Sequence, residues 1–275
     1  MPTNHAPDGW RFDQRPKPDN VTVIEADGAP HDVDVIVCQT GDDISAVVMD
    51  SRMGHPIDVP AFYLSHNRWE YDAHCADALN VWEWPLVCIS EMKAVTWRNA
   101  GYTHPITVIP PYIDVNEYND GWTGEGGYIL TVCNGLWRKL FDLDAWIAAT
   151  RDLPVKLVGD NNESIPGAVG PSSSWDHLRS LYREARCYLS VNKWPNEDGY
   201  ALALLEALAT GVPTVALSNP TLPEGVPHGE PWVLRASLEF LLKEPGMRMP
   251  NIAEQFPMER FRGEWLKVLE SVASS

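Results

Sequence analysis

The sequence predicts an α/β protein made of two doubly wound halves, on three observations. Short apolar runs recur along the chain with little polar alternation, as in parallel strands covered on both faces. Longer amphipathic stretches separate them, which is the rhythm of βαβ units. A polar, glycine-rich segment without period, DVNEYNDGWTGEGG (114–127), reads as a linker and divides the chain near residue 115. The expected parts are 1–114, 115–257 and a closing helical segment, 258–275. No internal repeat is visible.

Residues 1–20 are rich in Pro, Asp and Arg and carry no period. The predicted strands of the first half are VTVIEA (21–26), VDVIVCQ (33–39), AFYLSH (61–66), PLVCIS (85–90) and ITVIP (106–110). Those of the second half are YILTVC (128–133), VKLVG (155–159), CYLSV (187–191) and PTVAL (213–217). Ser90 reads as the N-cap of a helix after PLVCI. Further helices are expected over 140–150, 174–186 with Ser173 as N-cap, 200–210, 234–243 and 258–271. Gly211 and Pro213 stop the third of these. In the last, Phe261, Trp265, Val268 and Leu269 form one apolar face.

The 275 residues are 44% hydrophobic, enough for a substantial core. The formal net charge of −17 argues against broad contact with phosphate backbones and against a polybasic grip on anionic lipid. The opening MPTNHAPDGWRF has neither a basic nor an apolar signal region, so no signal peptide is expected. No apolar run approaches the ~20 residues of a membrane span. The five cysteines form no CxxC pair, and three lie in strand-like runs, which predicts a reducing, cytoplasmic setting. There is no GxxxxGK[ST] loop and no GxSxG elbow. Gly124, Gly126 and Gly127 precede a strand, whereas a dinucleotide fingerprint follows one. His66, His74 and Cys75 match no zinc spacing, so no metal is expected.

The chemistry concentrates in NEDGYALALLEALATGVP (196–213). From Tyr200 to Ala209, Glu206 is the one polar departure from an apolar helix. An unpaired buried charge costs several kcal/mol, so Glu206 either faces a ligand, reaches solvent or pairs with a core arginine. Asp198 stands eight residues earlier, ~12 Å along the helix axis and only ~80° around it. That spacing lets two carboxylates hold hydroxyls at opposite ends of one extended ligand. Gly199 allows close backbone approach, and the helix start is an anion site. Across the sheet, NGLWRKLFD (134–142) puts Arg138 and Lys139 at a strand-to-helix turn, suited to a diphosphate. Ligands bind outside the carboxyl ends of parallel strands. The loops Asn134–Lys139, Asp160–Asn162 and Asn192–Asp198 should therefore share one edge.

Taken in order, PLVCISEMKAVTWRNAGYTHPITVIPPYID, YILTVCNGLWRKLFDL, VKLVGD and LYREARCYLSVNKWPNEDGYALALLEALATGVPTVA, with the closing helix, resemble the GT-B glycosyltransferases. The likeness is to the retaining family 4 group with its E-x7-E motif, over roughly residues 60–270. The resemblance implies two Rossmann-like domains facing across a cleft, the first shortened and on the acceptor side. It implies transfer of a sugar from a nucleotide-diphosphate sugar, UDP or GDP, with retention and without metal. Glu206 takes the ribose hydroxyls, and Asp198 stands near the transferred sugar. Gly199, Tyr200, Ala201 and Leu202 face sugar or phosphate, and Lys139 binds the diphosphate. Gly159 and Asp160 lie by the base, and Asn134, Gly135 and Arg138 are further donor-binding candidates. His66 lines the donor sugar. Departures are Asp198 for Glu, Asn134 for the usual Arg (with Arg138 nearby), and Gly-Tyr-Ala for Gly-Phe-Gly. The acceptor is open: a glycan, a lipid-linked or small molecule, or a modified DNA base, the last disfavoured by charge. A nucleotide-sugar 2-epimerase and a weakly active nucleotide-sugar-binding protein are the alternatives.

Overall fold

In the computed structural model, the described residues are 33–39, 44, 59–65, 75–118, 121–197, 201–244, 246–247 and 252–274. The strand expected over 21–26 and the site candidates His66, Asp198, Gly199 and Tyr200 lie outside them. The chain divides into two compact units. One takes the described residues up to Tyr112 together with the last helix, and the other takes Ile113–Pro257.

The first unit is a parallel sheet of β1 (Ile36–Cys38), β2 (Ala61–Ser65), β3 (Leu86–Cys88) and β4 (Ile106–Val108), in that spatial order. Tyr63 stands opposite Leu86, which stands opposite Ile106. Between the strands run α1 (Cys75–Val81) and α2 (Glu91–Asn99). Ser90 caps α2 by accepting a hydrogen bond from the Lys93 N–H. Side chains alternate along β2. Tyr63 points into a core with Leu79, Trp97 and Tyr102. Phe62 and Leu64 point to the opposite face, where Val268 and Val272 of α7 (Met258–Ala273) cover them, flanked by Phe261 and Trp265. Both faces are thus sealed, which is why all five residues of β2 are buried.

The second unit holds β5 (Ile129–Val132), α3 (Leu143–Thr150), β6 (Val155–Val158), β7 (Ala168–Gly170), α4 (Trp175–Glu184), β8 (Cys187–Ser190), α5 (Leu202–Thr210), β9 (Thr214–Leu217), β10 (His228–Gly229) and α6 (Pro231–Lys243). Its six strands are parallel in the order β10-β9-β8-β5-β6-β7. The chain winds outward from β5 to β7, crosses back, and winds outward again from β8. The switch point therefore lies between β5 and β8. One sheet face packs Leu130, Val158 and Tyr188 against α4 and α5. The other packs Ile129, Leu157 and Leu189 against Trp146 of α3 and Leu234 and Leu238 of α6.

Four expectations are corrected. Helix α4 is capped by Ser174, whose hydroxyl accepts from the His177 N–H, rather than by Ser173. Helix α6 starts three residues earlier than periodicity predicts, because Pro231 occupies its first turn, where the missing N–H costs nothing. Strands β7 and β10 carry too few residues to show a period. Segment 114–127 is not a bare linker. It contains a 3-10 turn (Val115–Tyr118), and Tyr118 and Trp122 are buried in the second unit's core. The Trp122 indole N–H donates to the Ala185 carbonyl at 2.6 Å.

Candidate functional site

The carboxyl ends of β5, β6 and β8 lead into three loops on one edge of the second unit's sheet. The loop after β5 and the loop after β6 are laced together. The Asn134 side-chain oxygen accepts from the Asp160 N–H at 2.9 Å, and the Gly135 N–H donates to the Asp160 carbonyl at 2.8 Å. Asn162, fully buried, serves as the hub. Its oxygen accepts from the Leu136 N–H at 2.7 Å, and its amide nitrogen donates to the Cys133 carbonyl at 2.7 Å and the Gly159 carbonyl at 3.3 Å. Gly159 permits this approach. A Cβ on it would stand 2.2 Å from the Cys133 carbonyl oxygen, and its φ is +134°.

The loop after β8 joins from the other side. The Lys193 N–H donates to the Leu140 carbonyl, and the Asn196 side chain donates to the Lys139 carbonyl at 2.9 Å. Lys193 also pairs with Asp142 at 3.4 Å, and Asp142 caps α3 through the Ala145 N–H. Asn219, buried after β9, donates to the Asn192 and Glu197 carbonyls. These bonds fix the backbone and leave the outward side chains of Asn134, Arg138, Lys139 and Asp160 exposed. Among the described residues, neither Arg138 nor Lys139 forms an ion pair. The edge is thus a rigid frame carrying two adjacent cations beside the switch point, an arrangement that attracts a polyphosphate.

Glu206 lies one turn into α5. Ala201 begins that helix with no side-chain cap, and Leu202 is exposed. Glu206 itself is only 4% exposed. Its Oε2 accepts a hydrogen bond from the Tyr182 hydroxyl of α4 at 3.0 Å, and that hydroxyl also lies 3.1 Å from the Ala203 carbonyl. Burial, and then the charge of Glu206, holds the Tyr182 phenol well above its ordinary pKa, so it stays a donor. A neutral phenol is therefore one partner of Glu206, which the sequence did not suggest.

On the same sheet face, a cavity of about 140 Å³ opens between β6, β7 and α4, lined by Lys156, Val158, Gly170, Ser172, His177 and Leu181 among others. The Lys156 ammonium sits 3.8 Å above the Tyr128 ring. Leu181 immediately precedes Tyr182, so the cavity adjoins α4, whose Tyr182 bonds to Glu206. Sequence reasoning missed Asn162, Tyr182, Asn219 and this cavity. The doubled asparagine of VGDNN was the one local signal for the hub. Among the described residues, no cluster of His, Cys, Asp and Glu could hold a metal, and no helix is long and apolar enough to cross a membrane.

No family model matches the sequence, and no curated protein matches it. Solved structures match its fold. One is a point mutant of S. aureus TarM in complex with fondaparinux, alpha-GlcNAc-glycerol and UDP. It is 11% identical over 86% of this chain and 55% of that chain, with a TM-score of 0.57. Another is the pneumococcal O-GlcNAc transferase GtfA in complex with UDP and GlcNAc. It is 15% identical over 88% of this chain and 57% of that chain, with a TM-score of 0.60. The chain spans a little over half the length of both. At these identities the likeness shows the fold, which is the mixed α/β GT-B fold of glycosyltransferases with parallel sheets.

Proposed function

We propose that the chain transfers a hexosyl group from a nucleotide-diphosphate sugar to an acceptor hydroxyl, with retention and without a metal. The observation that carries this reading is the pair Arg138 and Lys139, held on the laced loop after β5 where the strand order reverses, in a GT-B fold. In the reaction the bond from the anomeric carbon to the diphosphate oxygen breaks. The acceptor oxygen bonds to that carbon, and its proton leaves with a base. Arg138 and Lys139 stabilise the departing diphosphate where its charge develops. Tyr182 orients Glu206, and a carboxylate accepts at about four lone-pair sites, so ribose hydroxyls add to that bond rather than replace it. Asn134 and Gly135 line the phosphates, Gly159 and Asp160 the base. Asp198 and His66 are assigned to the transferred sugar, and Gly199, Tyr200, Ala201 and Leu202 to the sugar or phosphate. The cavity lined by Lys156 and His177 adjoins these contacts as the base slot. The first unit carries the acceptor.

The test is a thermal-shift series with UDP, GDP, ADP and dTDP, each at about 100 times its dissociation constant, where a site-specific ligand adds about 2.7 kcal/mol. UDP or GDP is expected to stabilise the chain, Lys139→Ala and Glu206→Ala to abolish the shift, and the matching nucleotide sugar to be consumed in the presence of an acceptor. A chain that none of the four stabilises, or whose variants bind as well as the parent, overturns the reading. Consumption of the sugar nucleotide without acceptor, with inversion at C2, assigns the epimerase instead.

A further inference from the structure

The turn that leads to Arg138 and Lys139 is tied to the loop after β6 residue by residue. Asn134 and Gly135 bond to the backbone of Asp160, Leu136 to the side chain of Asn162, and Trp137 to the Asn161 carbonyl. Water acts differently on these ties. Asn134, Trp137 and Asp160 are exposed, so solvent replaces a lost bond there at little cost. Asn162 is 1% exposed and Leu136 0%, and a bond between groups so buried has no solvent substitute. The Asn162 amide uses both of its ends. Its oxygen accepts from the Leu136 N–H, while its nitrogen donates to the Cys133 and Gly159 carbonyls. Its own backbone carbonyl accepts from the Ile165 N–H at 2.8 Å, which holds the residue in a turn of its own.

From Leu136 the chain has little freedom before it reaches the two cations. The Arg138 N–H donates to the Gly135 carbonyl at 2.9 Å, and the Phe141 N–H donates to the Arg138 carbonyl at 3.0 Å, so one hydrogen-bonded turn runs directly into the next. The direction in which Arg138 and Lys139 leave the strand is therefore set where Leu136 is held. Gly159, on the side proposed for the base, is held by the same amide. We propose that Asn162 is a positioning residue for nucleoside diphosphate binding. It is buried out of reach of any ligand, and it aligns the cations after β5 with the base contacts after β6. The inference rests on the reading of Arg138 and Lys139 as diphosphate contacts.

The test is a double-mutant cycle on the intact chain, with UDP and GDP binding measured by calorimetry. In the parent, Lys139→Ala is expected to weaken the tighter nucleotide by about tenfold or more, the scale of one hydrogen bond to a charged group. Asn162→Leu keeps the site filled but strands three backbone groups, so Lys139 loses its alignment. In that background Lys139→Ala should matter at least about threefold less, whereas independent sites are additive within about twofold. Asn162→Asp supplies a second measurement. An ionised carboxylate still accepts from Leu136 but faces two carbonyls with no proton to donate, and the protonated acid restores donation to Cys133. Burial raises such a carboxyl toward neutral pH, so affinity relative to the parent should recover as pH falls from about 8 to about 6. An asparagine that only stabilises the fold would lower the melting temperature when replaced and leave the cycle additive. Additivity overturns the positioning role, and so does an Asn162→Asp affinity, relative to the parent, that is the same at both pH values. Where Asn162→Leu does not fold, the Asn162→Asp series decides. A parent that binds neither nucleotide, or that loses nothing with Lys139→Ala, overturns the diphosphate reading and this role with it.

Discussion

Gly159→Ala tests the frame on which the candidate site stands. The new Cβ would sit 2.2 Å from the Cys133 carbonyl oxygen, 2.7 Å from the Cys133 carbonyl carbon and 2.7 Å from Oδ1 of Asn134. Two of these three are backbone atoms at the end of β5, which cannot swing away as a side-chain tip can. Leaving the glycine-favoured backbone conformation adds about 1–2 kcal/mol, and forcing a methyl into filled space about 1–3 kcal/mol. The expected loss is therefore about 2–5 kcal/mol. Gly170→Ala is the matched control. Its carbonyl accepts from the Gly159 N–H at 3.1 Å, so the two glycines meet across β6 and β7. Gly170 has φ +78° but no atom within 4 Å of a built Cβ, so it carries only the conformational cost of about 1–2 kcal/mol. Urea denaturation separates the two, because a slope of about 1–3 kcal/mol per molar turns the difference into roughly a molar in midpoint. Gly159→Ala should also weaken nucleoside diphosphate binding, since the displaced Asn134 anchors Asp160 and the displaced Cys133 anchors Asn162. Equal midpoints for the two variants would refute the close-approach argument and reduce Gly159 to an ordinary turn glycine.

Thr131 links β5, β8 and α3: its hydroxyl donates to the Leu189 carbonyl at 3.0 Å and accepts from the Trp146 indole at 3.0 Å. Thr131→Val keeps the volume and strands that indole N–H, so a loss of about 1–3 kcal/mol is expected in urea unfolding followed by circular dichroism. Tyr182→Phe removes the phenol from a buried carboxylate, and calorimetry should show a loss of similar size, about 1–3 kcal/mol; an unchanged melting temperature refutes the pair. Burial pushes the thiols of Cys88 and Cys187 from 9.0 up to about 12, against smaller lowering influences from Lys93 and Arg98 on the first and Arg186 on the second. The folded chain holds these protons more tightly than the unfolded one, so their contribution is complete below pH 9 and declines as pH rises from 9 toward 12, by about 1.4 kcal/mol per pH unit for each thiol. Urea midpoints between pH 7 and 11 should follow that course, and a thiol reagent at pH 8 should label neither cysteine until urea is added.

The α/β class was legible because the central strands of both sheets are sealed on both faces and so appear as apolar runs; AFYLS is the clearest case, covered on one side by Trp97 and on the other by α7. Ser90 was legible as the cap of α2, whereas the end of VKLVG misled, because Gly159 leaves the strand to approach Cys133. Segment 114–127 misled because its glycines and acids outnumber its anchors, yet one indole bonded across 63 residues to Ala185 places the segment in the core. The sheet rule placed Asn134, Arg138, Lys139 and Asp160 on one edge from sequence alone. The lacing could not be read, because Asn162 reaches Leu136 and Cys133 across 26 and 29 residues and an amide carries no periodic signature.

Glu206 shows why such partners escape a sequence search and what they contribute. A lone carboxylate in an apolar helix directs attention to Arg and Lys, but one of its partners is Tyr182, a phenol 24 residues upstream in another helix. The phenol supplies one proton to Oε2, which orients the carboxyl group. A carboxylate accepts at about four lone-pair sites, so one phenol bond fixes its geometry without filling it. The ribose contact proposed for Glu206 requires that geometry, and Tyr182→Phe removes the bond that sets it.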